Sequence, residues 1–178
     1  MNPAPPVTRT ERSLRLTSSF YRVGFRVVCQ TRAMSISDEF DQLHHLPPNP
    51  YNPHASIVGE PEIGDDVWIG AFTVIDGSGG LSIGHGCNIS AGAQIYSHST
   101  VERCVSDRGR PIVRAPTRIG RNVHVGANAV ILMGCDIGDY CVVGAGAVVK
   151  EGTIAPVYSV LVGVPARVIP GAARRLAD

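Results

Sequence analysis

The sequence predicts an all-β fold, a parallel β-helix in which short strands wind around a common axis, three to a coil. Three observations lead there. An aliphatic residue recurs every six positions, at Ile57, Ile63, Ile69 and Ile75, then Ile83, Ile89 and Ile95, and after a break at Ile119, Val125, Ile131, Ile137, Val143 and Val149. Glycine follows many of them, as at Gly64, Gly70, Gly84, Gly120, Gly126, Gly138 and Gly144. Four positions after the aliphatic residue the chain is small or β-branched: Val67, Thr73, Cys87, Ala93, Ser99, Val123, Ala129, Cys135, Cys141, Ala147 and Thr153.

A period of six matches neither the helical repeat nor a plain alternation of two. It suits a short strand plus a turn, with three such units closing one triangular coil. The aliphatic residue points into the prism, the small one tucks in near the corner, and glycine is read as serving turns of positive φ. Each coil buries its apolar ladder only against the coils above and below, so stability comes from stacking. Parallel crossovers are normally right-handed, and the period alone leaves both hands open.

The elements follow in order. Residues 1–33 carry six Arg against one acid, Glu11, whereas 34–178 carry ten basic and fourteen acidic side chains. This Arg- and Ser/Thr-rich start reads as an organellar transit peptide, a disordered extension, or upstream sequence ahead of a start at Met34. Residues 34–50 form a helix and linker: Ser35 to Leu46 is expected to be helical, with Ser35 and Asp38 as a capping box and Pro47-Pro48 as the stop. Residues 51–178 form the β-helix. Its hexads fall into the triplets 63/69/75, 83/89/95, 119/125/131 and 137/143/149. Gly77-Ser78-Gly79-Gly80 inserts an extra pair of residues between the first two. Residues 99–118 lack the repeat, and an excursion of that length is usually functional. Ala166 to Ala177 is expected to form a final strand and a short helix.

Composition excludes several classes. Apolar residues make up 44% and charged residues 17%, which reads as a soluble globular chain. No apolar run approaches the roughly 18 residues of a membrane span, and the mildly acidic folded part carries no nucleic-acid footprint. Cys87, Cys135 and Cys141 all occupy the small inward slot, where a thiol is a compact hydrophobe. No Cys-x-x-Cys pair is present, so no structural zinc site and no metal requirement is expected.

Among the histidines at 44, 45, 54, 85, 98 and 124, His98 stands apart. It lies in Ile95-Tyr96-Ser97-His98-Ser99-Thr100, where the chain leaves the prism for the long excursion. Such a junction lets a rigid scaffold hold a base beside a mobile cover.

The stretch from Ile83 to Ile169 resembles the hexapeptide-repeat acyltransferases, the group of galactoside, maltose and xenobiotic acetyltransferases, and most nearly the small sugar O-acetyltransferases. The segments that carry the likeness are IYSHS around His98, IGRNVHVGANAVILMG (119–134), IGDYCVVGAGAVVKEG (137–152) and GVPARVI (163–169). The resemblance implies a left-handed β-helix and an acetyl-CoA-dependent O-acetyltransferase acting on a sugar or glycan hydroxyl. It further implies a cytoplasmic homotrimer with active sites at the subunit interfaces. His98 matches the catalytic histidine, which takes the acceptor proton as general base. Ala127, Ala145, Lys150 and Arg167 match coenzyme A contacts, and Asp76 roughly matches an acidic acceptor contact. Two departures weaken the phosphate contacts: the family's Thr-Lys pair reads Lys150-Glu151 here, and Pro170 replaces a second basic residue. Rival readings are N-acetylation of an amino sugar, antibiotic acetylation, a non-catalytic β-helix scaffold, and a γ-type carbonic anhydrase. The last binds zinc through histidines, two of them five residues apart, and no histidine pair in the repeat region has that spacing.

Overall fold

The computed structural model describes residues 50–176. The expected leader and the helix over Ser35 to Leu46 lie outside them. The described residues form a parallel β-helix with three walls. The first wall orders β1 (Ser56–Val58), β4 (Val74–Asp76), β7 (Gln94–Ile95), β12 (Val130–Ile131) and β15 (Val148–Val149). The second holds β2 (Glu62–Ile63), β5 (Leu81–Ile83), β10 (Thr117–Ile119), β13 (Asp136–Ile137) and β16 (Ile154–Ala155). The third stacks β3 (Trp68–Ile69), β6 (Asn88–Ile89), β11 (His124–Val125), β14 (Val142–Val143) and β17 (Val160–Gly163). Each rung pairs in parallel with the next at the expected hexad register, as in Ile75↔Ile95, Ile83↔Ile119 and Val125↔Val143.

The aliphatic ladder is the core. Ile69, Ile75, Ile89, Ile95, Ile119, Val125, Ile131, Ile137, Val143 and Val149 are all buried, with Cys87, Ala93, Val123, Ala129, Cys135, Cys141 and Ala147 filling the corners. The repeat also runs further than the aliphatic spacing suggested. Ala155 and Leu161 are both buried and extend the second and third walls by one rung. Alanine in the inward slot hid the first of these.

The glycines serve a purpose other than the one expected. Those directly after the aliphatic residue are not the positive-φ positions; those lie three residues after it, at Gly86, Gly92, Gly134 and Gly146, and equally at Asn122, Asn128, Tyr140 and Tyr158. What the first group supplies is closeness. A Cβ on Gly126 would stand 2.5 Å from the Ala145 amide nitrogen, and one on Gly64 would stand 2.7 Å from that of His85. Successive coils therefore touch through their backbones at these corners.

Residues 99–118 are ordered as an antiparallel ribbon. β8 (His98–Ser99) pairs with β9 (Val113–Arg114), and the tip carries the short helix α1 (Val101–Val105). Here the hexad pattern breaks: Ser97, not Ser99, is the buried small residue after Ile95.

At the C-terminal end β18 (Ala166–Ile169) folds back antiparallel on β17, followed by a 3-10 turn over Ala172–Leu176. An aromatic ladder anchors that turn. The Tyr140 and Tyr158 rings stack with centroids 4.9 Å apart, and the Arg121 and Arg174 guanidinium groups cover their respective outer faces.

Candidate active site

The site lies at the corner between the first and second walls. Ile75 and Ile95 face inward on adjacent rungs, so the residues that follow them leave the first wall one above the other. Asp76 ends β4 and His98 begins the ribbon one coil further on. The extra pair of residues in Gly77-Ser78-Gly79-Gly80 loops out at this corner, and the Ser78 amide turns back to donate to Asp76 Oδ1 at 3.0 Å. Gly79 must be glycine, because a Cβ would collide with the Ser97 carbonyl oxygen. Its amide donates to Ser97 Oγ at 2.8 Å, and that hydroxyl donates to the Asp76 backbone carbonyl at 2.6 Å.

These contacts seat a buried carboxylate beneath an accessible imidazole. Asp76 Oδ2 lies 2.6 Å from His98 Nδ1, with Asp76 2% exposed and His98 31%. Oδ2 also accepts from the Ser97 amide at 3.1 Å. Burial pushes the Asp76 carboxyl upward, but hydrogen bonds from the Ser78 side chain, the Ser97 and Ser78 amides and His98 outweigh it and hold the carboxyl at about 2. An ionised carboxylate only accepts, so the proton between the two groups belongs to Nδ1. In the neutral ring Nε2 then carries the free lone pair.

The residues matched to coenzyme contacts lie elsewhere. Ala127 and Ala145 occupy stacked turns at the corner between the third and first walls, where the Ala127 carbonyl accepts from the Gly146 amide at 2.9 Å. Lys150 lies at the His98 corner but two rungs further along, and its carbonyl is engaged by Cys135 Sγ and Thr153 Oγ1. Arg167 sits on β18, opposite Val162. All four are exposed. One chain thus brings Asp76 and His98 together and leaves the other four at separate places along the prism. Asp76 is also not open to an acceptor as its expected role would require: its carboxylate is buried and fully occupied behind His98. The two-residue insertion over 77–80 is what folds over it, with the Ser78 amide on Oδ1. Sequence reasoning also passed over Ser78 and Ser97. The only signal for them was their place in the insertion and beside His98.

The three core cysteines donate to backbone carbonyls, Cys87 to Gly120, Cys135 to Lys150 and Cys141 to Pro156, and burial pushes each thiol upward. Among the described residues no three His, Cys, Asp or Glu side chains gather as a metal ion would need, and no helix is long and apolar enough to cross a membrane.

Two sequence profiles match the repeat region: the bacterial transferase hexapeptide over residues 116–151, and the hexapeptide repeat of succinyl-transferase over residues 62–97. The chain carries the hexapeptide repeat over both stretches. It is 30% identical over 122 residues to the carnitine operon protein CaiE of Escherichia coli, a segment spanning 66% of this chain and 62% of that protein. Its fold is similar to that of AntD, an N-acyltransferase from Bacillus cereus solved with dTDP and coenzyme A, at a TM-score of 0.60 and 23% identity, covering 71% of each chain. It is equally similar to a galactoside acetyltransferase solved with coenzyme A, at a TM-score of 0.60 and 20% identity over 87% of this chain and 83% of that one.

Proposed function

We propose that this chain transfers an acetyl group from acetyl-CoA to a hydroxyl of a sugar or glycan, with His98 as general base. The observation that carries the reading is the 2.6 Å contact between His98 Nδ1 and the buried Asp76 carboxylate. It fixes the ring and its tautomer, so that Nε2 is the atom available to the acceptor. Nε2 removes the hydroxyl proton as the oxygen attacks the thioester carbonyl. The C–S bond then breaks, and the same proton passes to the departing thiolate. Asp76 holds the ring and stabilises the transient imidazolium without itself being protonated. No acyl-enzyme is needed.

Lys150 and Arg167 suit the coenzyme phosphates, Arg167 as a planar fork. The Ala127 and Ala145 turns suit the pantetheine amides, since no large side chain stands between backbone and ligand. Because Lys150 stands two rungs from His98, and Ala127, Ala145 and Arg167 lie elsewhere on the prism, the reading includes a homotrimer in which neighbouring chains complete each site. Buried thiols at Cys87, Cys135 and Cys141, none in a disulfide, suit the reducing cytoplasm.

Thiol release from acetyl-CoA, measured across sugars, amino sugars and aminoglycosides, tests the reading and separates O- from N-transfer. His98→Ala should keep the fold and lose about 10²–10⁴-fold in rate. A folded His98→Ala protein with undiminished transfer overturns it.

A further inference from the structure

The ribbon that leaves the prism at His98 carries a second group to the same place. β8 and β9 pair antiparallel with His98 directly opposite Arg114. The neighbouring Ala115 amide donates to the Ser97 carbonyl at 3.0 Å, which makes 97/115 the hydrogen-bonded pair and His98/Arg114 the wide pair. In a wide pair the two side chains leave the same face and come closest, with Cβ atoms about 4.5–5.5 Å apart. The stem of Arg114 passes over Gly79, where an added Cβ would stand 3.2 Å from Arg114 Cβ. The guanidinium thus springs from the rim of the Asp76–His98 site. Among the described residues it forms no ion pair: Arg110 takes Glu102, Arg118 takes Asp136 and Arg121 takes Asp139, while Asp76 is committed to His98, Ser78 and Ser97.

An unpaired, always-charged fork fixed by strand register next to the base is a recognition element for an anion. We infer that the acceptor carries an anionic group, a carboxylate or a phosphate, close to its reacting hydroxyl, and that Arg114 binds it and sets acceptor specificity. This deepens the acetyl-transfer reading and relies on it for the word acceptor, but the anion site can be tested by itself.

Diethylpyrocarbonate modification of His98, followed by mass spectrometry on the full chain, is the measurement. His85 and His124, both exposed, serve as internal controls, and potassium chloride at equal ionic strength controls for screening. Inorganic pyrophosphate and glucuronate are the two probes. At least one should slow His98 modification severalfold in the native protein, leaving His85 and His124 unaffected, and whichever protects names the anion. Arg114→Gln should abolish that protection and Arg114→Lys should retain part of it. Protection by neither probe, or equal protection in Arg114→Gln, overturns the inference. Calorimetry with acetyl-CoA reports on the transfer reading separately: no binding there, with Arg114-dependent protection intact, sinks acetyl transfer and leaves the anion site standing.

Discussion

Asp76 and His98 are 22 residues apart in sequence and belong to adjacent coils, yet their side chains meet at 2.6 Å, the carboxylate buried and the imidazole open. The carboxylate fixes which ring nitrogen carries the proton. Asp76→Asn keeps the volume and replaces a pure acceptor with a group that can donate its amide hydrogen to Nδ1, which puts the ring proton on Nε2. The rate of transfer should fall by about 10²–10⁴-fold, as much as losing the base, with the KM for acetyl-CoA little changed. Steady-state kinetics decide it, and an Asp76→Asn enzyme of native rate rules out the positioning role.

The same carboxylate predicts an acid limb of stability. Its value lies near 2 when folded, against an ordinary 3.8, so the folded state favours the ionised form. A depressed carboxyl contributes stability that is complete above the unfolded value and is lost as pH falls through the folded one. The difference is about 2 kcal/mol at neutral pH. Urea titrations of native protein and Asp76→Asn should show a gap that is constant above pH 5 and narrows between about 4 and 2. A gap independent of pH in that window contradicts the assignment.

The two kinds of glycine should respond differently to a methyl group. Gly126→Ala drives a Cβ to within 2.5 Å of the Ala145 nitrogen, where only backbone can yield; a loss of about 1–3 kcal/mol is expected. Gly146→Ala meets no atom within 4 Å but keeps a φ of +66°, and should lose about 1 kcal/mol. Equal losses in urea would mean that coil contact is not what selects glycine after the aliphatic residue.

Thiol chemistry gives a residue-by-residue test of the core. Burial raises Cys87, Cys135 and Cys141 and depletes their thiolates, whereas Cys104 on α1 is exposed. Iodoacetamide on the folded protein should label Cys104 and spare the other three until denaturant is added. Early labelling of Cys141 would show that the prism opens there.

The walls of the prism were readable because each inward aliphatic residue answers to a strict period, and a period survives without any knowledge of neighbours. The position of His98 at the edge of the prism was readable for a related reason: it stands where the period stops. Three things were not. The last rungs escaped because Ala155 carries the inward slot without an aliphatic signal. The glycine after each aliphatic residue was misread because its constraint comes from the next coil, which a local turn rule does not see. Asp76 was placed among acceptor contacts because its partner is fixed by how the insertion at 77–80 folds, and only the stacked backbones determine that.

The end of the rod has a consequence of its own. Stacked parallel rungs can in principle grow without limit, since every open edge is a template for another. Here β18 reverses direction across β17, and the 3-10 turn sets the Ala173 amide on the Tyr158 carbonyl and Arg174 over the Tyr158 ring. The third wall therefore ends on a strand running the wrong way for a further parallel rung. A protein cut after Leu161 would lose that reversed strand and leave the third wall open to a further parallel rung.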